Sequence, residues 1–173
     1  MKFIHTLGSL VVAGTMLAVL PAGAAMADDT GNTVATFTLA GGSLDVTLEA
    51  DAALTDGAPG AASVTGSLGA VGISDTRGST SGWIVSAASS TFVDGAGSVS
   101  TGVSYNSGAA TASTGTVTTT TEGATSVTAV AQVAAGTLAS GNNTASYTPT
   151  LTVGLPANAL AGAYEGTVTT SVL

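Results

Sequence analysis

Charged side chains are scarce in this sequence, and basic ones are nearly absent. Charged residues make up 7% of its 173 residues, against about 25% in an ordinary soluble domain. Ten are Asp or Glu, and the basic side chains are Lys2, Arg77 and the single histidine, His5. Cysteine is missing altogether. The formal charge of −8 makes this a strongly acidic chain.

These absences exclude several kinds of chemistry. Without cysteine there is no disulfide, thiol nucleophile or cysteine-bound metal. A single histidine near the start of the chain supplies neither a Ser-His-Asp triad nor a set of imidazole ligands for zinc. So few cations cannot neutralise the phosphates of nucleic acid or of anionic lipid. We therefore predict a protein that is not an enzyme, has no catalytic residues or cofactor and binds no nucleic acid.

Residues 1–27 have the pattern of a secretory signal peptide. A basic start leads into an apolar run at 7–20, Pro21 ends the run, and Ala25-Met26-Ala27 suits a signal peptidase. The run is short for a membrane span, although an uncleaved membrane-anchoring helix is the alternative. We expect a secreted protein whose mature part, 28–173, is a single domain with no transmembrane segment.

The rest of the chain has the period of β-strands. Residues 43–49 alternate apolar and polar side chains, as in a strand with one solvent-facing side, and this pattern recurs between turn signals rich in Gly, Asp and Asn. The predicted strands are 34–39, 43–49, 63–73, 82–89, 98–105, 115–121, 125–133, 146–155 and 163–172. We predict an all-β fold, an antiparallel and Greek-key-like β-sandwich of about nine short strands, with an up-and-down barrel as the alternative.

Three stretches leave the local structure open. Residues 129–139 and 156–161 could each form a helical turn instead of a strand or loop. Residues 108–126, which include four consecutive threonines, could be a disordered or glycosylated connector. Their β-branched side chains favour a strand followed by a loop.

Acidic side chains cluster at Asp45, Glu49, Asp51 and Asp56. Loop carboxylates of secreted β-proteins can bind Ca²⁺, but this spacing does not match an EF-hand loop. Asp45 and Glu49 also share the solvent-facing side of a predicted strand. We predict a solvated acidic surface and no metal site, with a weak Ca²⁺ site as the alternative.

Arg77 and the only tryptophan, Trp83, lie close together in the sequence. The guanidinium of Arg77 either forms a structural ion pair that fixes the turn before Trp83 or binds an anionic ligand, and we favour the ion pair. Trp83 either belongs to the core or stacks on a sugar ring or partner surface. The same question applies to Tyr105, Tyr147 and Tyr164, whose alternation with Val and Leu favours the core with hydroxyls at its rim.

Two segments resemble the WxL-type surface proteins of Gram-positive bacteria. Asp75-Thr76-Arg77-Gly78 followed by Gly82-Trp83-Ile84-Val85 looks like the D-x-R-G…G-W-x-L segment of that family, with Val85 in place of Leu. Residues 164–172 are similar to its closing Y-x-x-x-L-T-W-x-L, with Thr170 in place of Trp. The resemblance implies an exported β-domain held non-covalently at the cell wall, on peptidoglycan.

We take Asp75, Arg77, Trp83 and Tyr164 as the candidate binding residues. The expected protein is secreted, is associated with the cell surface and binds a cell-wall polymer or other surface proteins. One alternative is a structural subunit that builds a surface layer or fibre through exposed strand edges. Another is a glycan hydrolase that uses two carboxylates, although no pair stands out in the sequence.

Overall fold

Antiparallel strands supply all the regular secondary structure of the residues described. The computed structural model describes residues 31–95, 98 and 101–173, and every strand lies in a compact unit, Thr38–Leu173. The strands are Leu44–Thr47 (β1), Ser63–Ser67 (β2), Val71–Asp75 (β3), Trp83–Ser89 (β4), Gly102–Asn106 (β5), Thr111–Thr121 (β6), Thr125–Ser126 (β7), Ala131–Tyr147 (β8), Thr150–Gly154 (β9) and Val168–Val172 (β10).

The other unit, Met1–Phe37, is described only from residue 31 onward, where it contains neither helix nor strand. The predicted signal peptide and its cleavage site lie outside the described residues. Within the described ranges, no helix has the length and apolar character needed to cross a membrane.

The ten strands form two sheets, so the all-β prediction is confirmed. The six-stranded sheet has the order β1-β3-β8-β4-β10, with β6 also paired to β8, and the four-stranded sheet has the order β2-β9-β5-β7. Every pairing between these strands is antiparallel. Strands that neighbour each other in a sheet are never consecutive in the described chain, so each sheet is assembled from distant parts of the sequence.

Strand β8 is the longest strand, with 17 residues, and it organises the larger sheet. One of its edges pairs with β6, while the other pairs with β3 through residues 143–147 and with β4 through residues 131–136. Since β3 and β4 run in the same direction along this edge, they amount to one strand interrupted by the loop 76–82. Strands β1 and β10 extend the same arrangement, because β1 pairs with β3 and β10 pairs with β4.

The core lies between the two sheets and follows the alternation in the sequence. In β3 and β4, buried residues alternate with more exposed ones, as the period of a strand requires. The fully buried large side chains include Trp83 and Ile73 from the six-stranded sheet, and Tyr105 and Leu151 from the four-stranded sheet. A single apolar core therefore joins the sheets.

The hydroxyls of Tyr105 and Tyr147 lie inside this core, although we expected them at its rim. They are 3.4 Å apart, and the Tyr105 hydroxyl donates to that of Tyr147. Burial raises the pKa of both phenols, so both remain protonated at any ordinary pH. Each hydroxyl is tolerated in an apolar core because the other satisfies it.

Several strand predictions need correction. Residues 34–39 form no strand, and the Phe37 side chain is 91% exposed, because alternation cannot produce a strand without a partner edge. The predicted strands 63–73 and 146–155 are each two strands that belong to different sheets. A short turn in each stretch takes the chain from one sheet to the other. Because apolar and polar side chains alternate on both sides of the turn, the sequence pattern does not reveal it.

The structure gives the local conformation of the three stretches that the sequence left open. Residues 129–139 are not helical, because most of them belong to β8. The Thr-rich stretch is the strand β6, as its β-branched residues indicated. Residues 125–133 divide into the two-residue strand β7 and the start of β8. Residues 156–161 form a turn in which the Ala159 N–H donates to the Pro156 carbonyl.

Leu138 lies within β8 in a strained conformation. Its φ is 52°, in the left-handed region, and it is the one residue other than glycine with positive φ among those described. The side chain is 79% exposed, so packing does not compensate for the strain. A left-handed conformation costs a residue with a Cβ about 1–2 kcal/mol.

We expect Leu138→Gly to stabilise the domain by about 1 kcal/mol, because relief of strain exceeds the entropy cost of glycine in the unfolded chain. Leu138→Ala is the matched control, since alanine also removes the exposed side chain but keeps the Cβ. Urea unfolding measures both. The interpretation is wrong if the glycine variant is no more stable than the alanine variant.

Candidate functional site

The sole cation of the described residues, Arg77, is held by Asp75 in a bidentate ion pair. The Arg77 Nε donates to Oδ1 of Asp75 and Nη2 donates to Oδ2, both at 2.9 Å. The backbone N–H of Arg77 also donates to Oδ1, at 3.0 Å. The Asp75 side chain is 2% exposed and that of Arg77 is 29% exposed. The carboxylate of the pair is therefore buried, and the guanidinium is partly exposed.

The same guanidinium closes the loop between β3 and β4. Its Nη2 donates to the carbonyl of Gly82 at 2.9 Å and lies 3.5 Å from that of Ser81. Asp75 is the last residue of β3, and Gly82 immediately precedes β4. Arg77 therefore ties together the two ends of the loop that interrupts the strand, which confirms the structural interpretation of this residue.

Trp83 joins this arrangement through a buried asparagine on β8. The indole Nε1 donates to Asn143 Oδ1 at 3.1 Å, and Asn143 Nδ2 donates to Asp75 Oδ2 at 3.4 Å. Trp83 is 2% exposed and Asn143 is 1% exposed. We call Arg77, Asp75, Asn143 and Trp83 the ion-pair network, because each side chain bonds the next.

The indole ring packs against the opposite strand at a position where no side chain fits. Trp83 is paired with Gly136 across β4 and β8. A Cβ at residue 136 would overlap the indole ring at Cε2, Cζ2 and Nε1. The glycine thus makes room for the tryptophan. Of the two interpretations of Trp83, the structure shows the core residue and leaves no exposed ring face for stacking on a sugar.

The electrostatics of the network favour the charged pair. Hydrogen bonds from Arg77 lower the pKa of Asp75 below its ordinary value of 3.8, against the opposing effect of burial, and the bond from Asn143 contributes in the same direction. The hydrogen bond to Asp75 raises the pKa of Arg77. Both groups are therefore ionised at neutral pH, although the Asp75 carboxylate is buried.

Tyr164, the fourth candidate residue, lies elsewhere, in an open cleft of about 1120 Å³ on the side of the sandwich. The connections from β1 to β2, from β4 to β5 and from β9 to β10 line it. Its lining includes the apolar residues Phe92, Val153 and Leu155. A smaller cavity of about 270 Å³ adjoins it and shares Leu54 and Phe92.

Tyr164 is half-buried in the wall of the cleft, where its hydroxyl donates to the Leu160 carbonyl at 3.0 Å. Burial and the nearby carboxylate of Asp94 raise the pKa of the phenol, so it remains protonated. Exposed carboxylates of Asp51, Asp56 and Glu165 also line the cleft. The cleft thus combines apolar surface, one phenol and hydrogen-bond acceptors of negative charge.

The structure therefore brings Asp75, Arg77 and Trp83 together and places Tyr164 at a separate site. Sequence reasoning missed Asn143, although an asparagine at an inward-facing position of a strand is itself a signal of a buried polar partner. Over the described ranges, no three metal-ligating side chains are grouped closely enough to hold an ion.

Comparison with known protein families, curated proteins and solved structures finds no match to this chain. The resemblance to WxL-type proteins therefore rests on its two sequence segments. The first of these segments supplies three residues of the ion-pair network, Asp75, Arg77 and Trp83, and the second runs from the cleft into β10.

We expect Arg77→Leu to destabilise the domain by about 2–4 kcal/mol at pH 7, because Asp75 would stay buried without its cation. The lower end of the range allows for the partial exposure of Arg77. Arg77→Lys, which keeps the charge but loses the paired hydrogen bonds, should cost less. Chemical unfolding of the three proteins measures the difference.

The pH dependence tests the same interaction. Because the pKa of Asp75 is lowered on folding, the pair contributes its full stability above pH 3.8 and loses it as the pH falls through the folded-state pKa. The stability difference between wild type and Arg77→Leu should therefore shrink below pH 4. A difference that is independent of pH between 7 and 3 would contradict this interpretation.

Trp83→Ala should cost about 3–5 kcal/mol, as expected for a large core side chain. Trp83→Phe should also be destabilising, since it leaves the buried Asn143 carbonyl oxygen without its donor, at a cost of about 1–3 kcal/mol. Ile84→Ala is the matched control, because Ile84 is the next residue on β4 and is 46% exposed. Circular dichroism can follow unfolding in all three. Equal effects of Trp83→Ala and Ile84→Ala would rule out a core role.

Proposed function

We propose that this protein is a secreted, non-enzymatic domain of the cell surface that binds the cell wall non-covalently through the cleft around Tyr164. The signal-peptide pattern supports secretion, and the two WxL-like segments support the wall as the partner. The observation that carries the proposal is the cleft itself, an open and amphipathic groove on the side of the sandwich.

The lining of the cleft suits a polysaccharide. A sugar ring has an apolar face and a rim of hydroxyls, so it requires apolar surface beside hydrogen-bonding groups. Leu160, which is 76% exposed, and the half-buried Leu155 and Tyr164 supply apolar surface. The carboxylates of Asp51, Asp56 and Glu165 can accept hydrogen bonds from hydroxyls. An open groove also admits a segment of a long polymer without requiring its end.

The charge distribution favours peptidoglycan over wall polymers that carry phosphate. Arg77, the only cation among the described residues, already pairs with Asp75, and the charged groups that line the cleft are carboxylates. A polyanion would be repelled, whereas an uncharged glycan, or a peptide stem with free amino groups, would not. The ligand we propose is therefore peptidoglycan.

Sedimentation with purified cell walls tests the proposal. The chain from Asp28 onward, which contains every strand of the structure, is incubated with walls before and after acid extraction of their phosphate-containing polymers. We expect the protein to sediment with both preparations. Recovery of all the protein in the supernatant, or binding that disappears when the anionic polymers are removed, would contradict the proposal.

Replacement of Tyr164 tests the location of the site. We expect Tyr164→Ala to weaken binding to extracted walls about tenfold, as for loss of an aromatic contact worth about 1–2 kcal/mol. Tyr164→Phe, which keeps the ring, is the matched control and should bind nearly as well as wild type. Both variants are first checked for an unchanged unfolding transition. Equal binding by Tyr164→Ala and wild type would show that the cleft is not the site.

A further inference from the structure

Strand β6 forms an open edge of the six-stranded sheet. It has 11 residues and pairs with β8, and no other described strand pairs with it. Exposed residues predominate along its length. A long unpaired edge offers backbone donors and acceptors to another strand unless charge, proline or a covering segment prevents it.

The other outer strands of the two sheets do not offer a long unpaired edge of this kind. Strand β2 is covered at its centre, because Thr55 donates from its N–H to the Thr65 carbonyl at 2.8 Å. Strand β7 has only two residues. Strand β1 contains Asp45 and is followed by Glu49 and Asp51, while β10 lines the smaller cavity.

Strand β6, in contrast, consists of Thr, Ser, Ala, Gly and Val and contains no charged residue. The outer strands β2, β7 and β10 are also uncharged, but each has five residues or fewer, so β6 is the longest uncharged outer strand. In a chain of formal charge −8, the β6 edge therefore offers a second copy the longest run of backbone groups without opposed like charges.

The backbone of β6 is regular over one part of this edge. Pairing with β8 is interrupted between Ala112 and Thr118 but is continuous from Thr118 to Thr121. The Glu122 N–H donates to the Val133 carbonyl at 2.9 Å, so this residue faces β8. Because backbone groups alternate along a strand, residues 118 and 120 also face β8, and residues 117, 119 and 121 direct their N–H and C=O groups outward.

We propose that residues 117–121 of β6 pair antiparallel with the same residues of a second copy, with Thr119 on the two-fold axis. Residue 117 then faces residue 121 of the other copy, and the outward groups form about six backbone hydrogen bonds. Thr118 lies opposite Thr120 of the other copy, and Glu122 lies opposite residue 116, so the two Glu122 carboxylates are not opposed.

The side chains of this segment suit a second copy of itself. Paired threonines on neighbouring strands stabilise a sheet, and β6 already makes such a pair with β8, where the Thr114 and Thr144 hydroxyl oxygens are 2.7 Å apart. A two-fold pairing uses the same edge on both copies, so it closes after two subunits. The expected assembly is a dimer and not a fibre.

Charge reversal across the axis tests the proposal by analytical ultracentrifugation of the chain from Asp28 onward. Wild type should form a reversible dimer. Thr118→Glu with Thr120→Glu should be monomeric, as should Thr118→Lys with Thr120→Lys, because like charges then face each other. A mixture of the two variants should form a heterodimer, since each glutamate then faces a lysine.

These exposed substitutions leave the core and the cleft untouched, and equal unfolding transitions verify the fold of each variant. A wild type that remains monomeric at millimolar concentration overturns the proposal. So does a doubly acidic variant that still dimerises, or a mixture that remains monomeric. Wall binding by the monomeric variants is measured separately and should be unchanged, so failure of one proposal is distinguishable from failure of the other.

A second substitution addresses the backbone directly. Thr119→Pro removes an N–H that points away from β8, so the β8 pairing is retained while the dimer loses a donor at its axis. Thr119→Val keeps this N–H and is the matched control. We expect loss of the dimer for the proline variant and retention for the valine variant, and the reverse result would place the interface elsewhere.

Discussion

The ion pair between Asp75 and Arg77 determines how the six-stranded sheet is completed along β8. Strands β3 and β4 share one edge of β8, and the loop 76–82 leaves that edge between them. Such an interruption leaves backbone groups of the loop without a partner strand, and ordering the loop costs conformational entropy. Both ends of the loop therefore need to be fixed. Arg77 fixes them by binding the carboxylate at the end of β3 and the carbonyl before β4.

Because cations are scarce in this chain, Arg77 pairs with Asp75 without competition from neighbouring cations. In an ordinary domain many cations compete for each carboxylate, and exposed pairs contribute little to stability. Here Arg77 is the only cation beyond residue 5, and the Asp75 carboxylate is buried, hydrogen-bonded to Asn143 and linked through it to Trp83. Loss of the cation therefore leaves a buried charge in contact with the core, and its effect reaches Trp83.

Much of the fold could be predicted because strand alternation is a local property of the sequence. An ion pair of Arg77 was also predictable, since the chain has ten carboxylates, but its partner Asp75 was not. The pairing of distant strands was not, because nothing local shows that β3 and β4 share the edge of β8. Residues 34–39 illustrate the same limit. Their apolar and polar side chains alternate as in a strand, but no described strand pairs with them.

The cleft could not be foreseen either, because its walls are connections between strands and follow no period. Only Tyr164 indicated that side of the molecule, and the carboxylates beside it looked like ordinary solvated turns. The structure separates two surfaces of different chemistry, an acidic cleft and the uncharged β6 edge. The residues that line the cleft and the residues of β6 do not overlap, so the proposed wall contact and the proposed dimer contact use different parts of the surface.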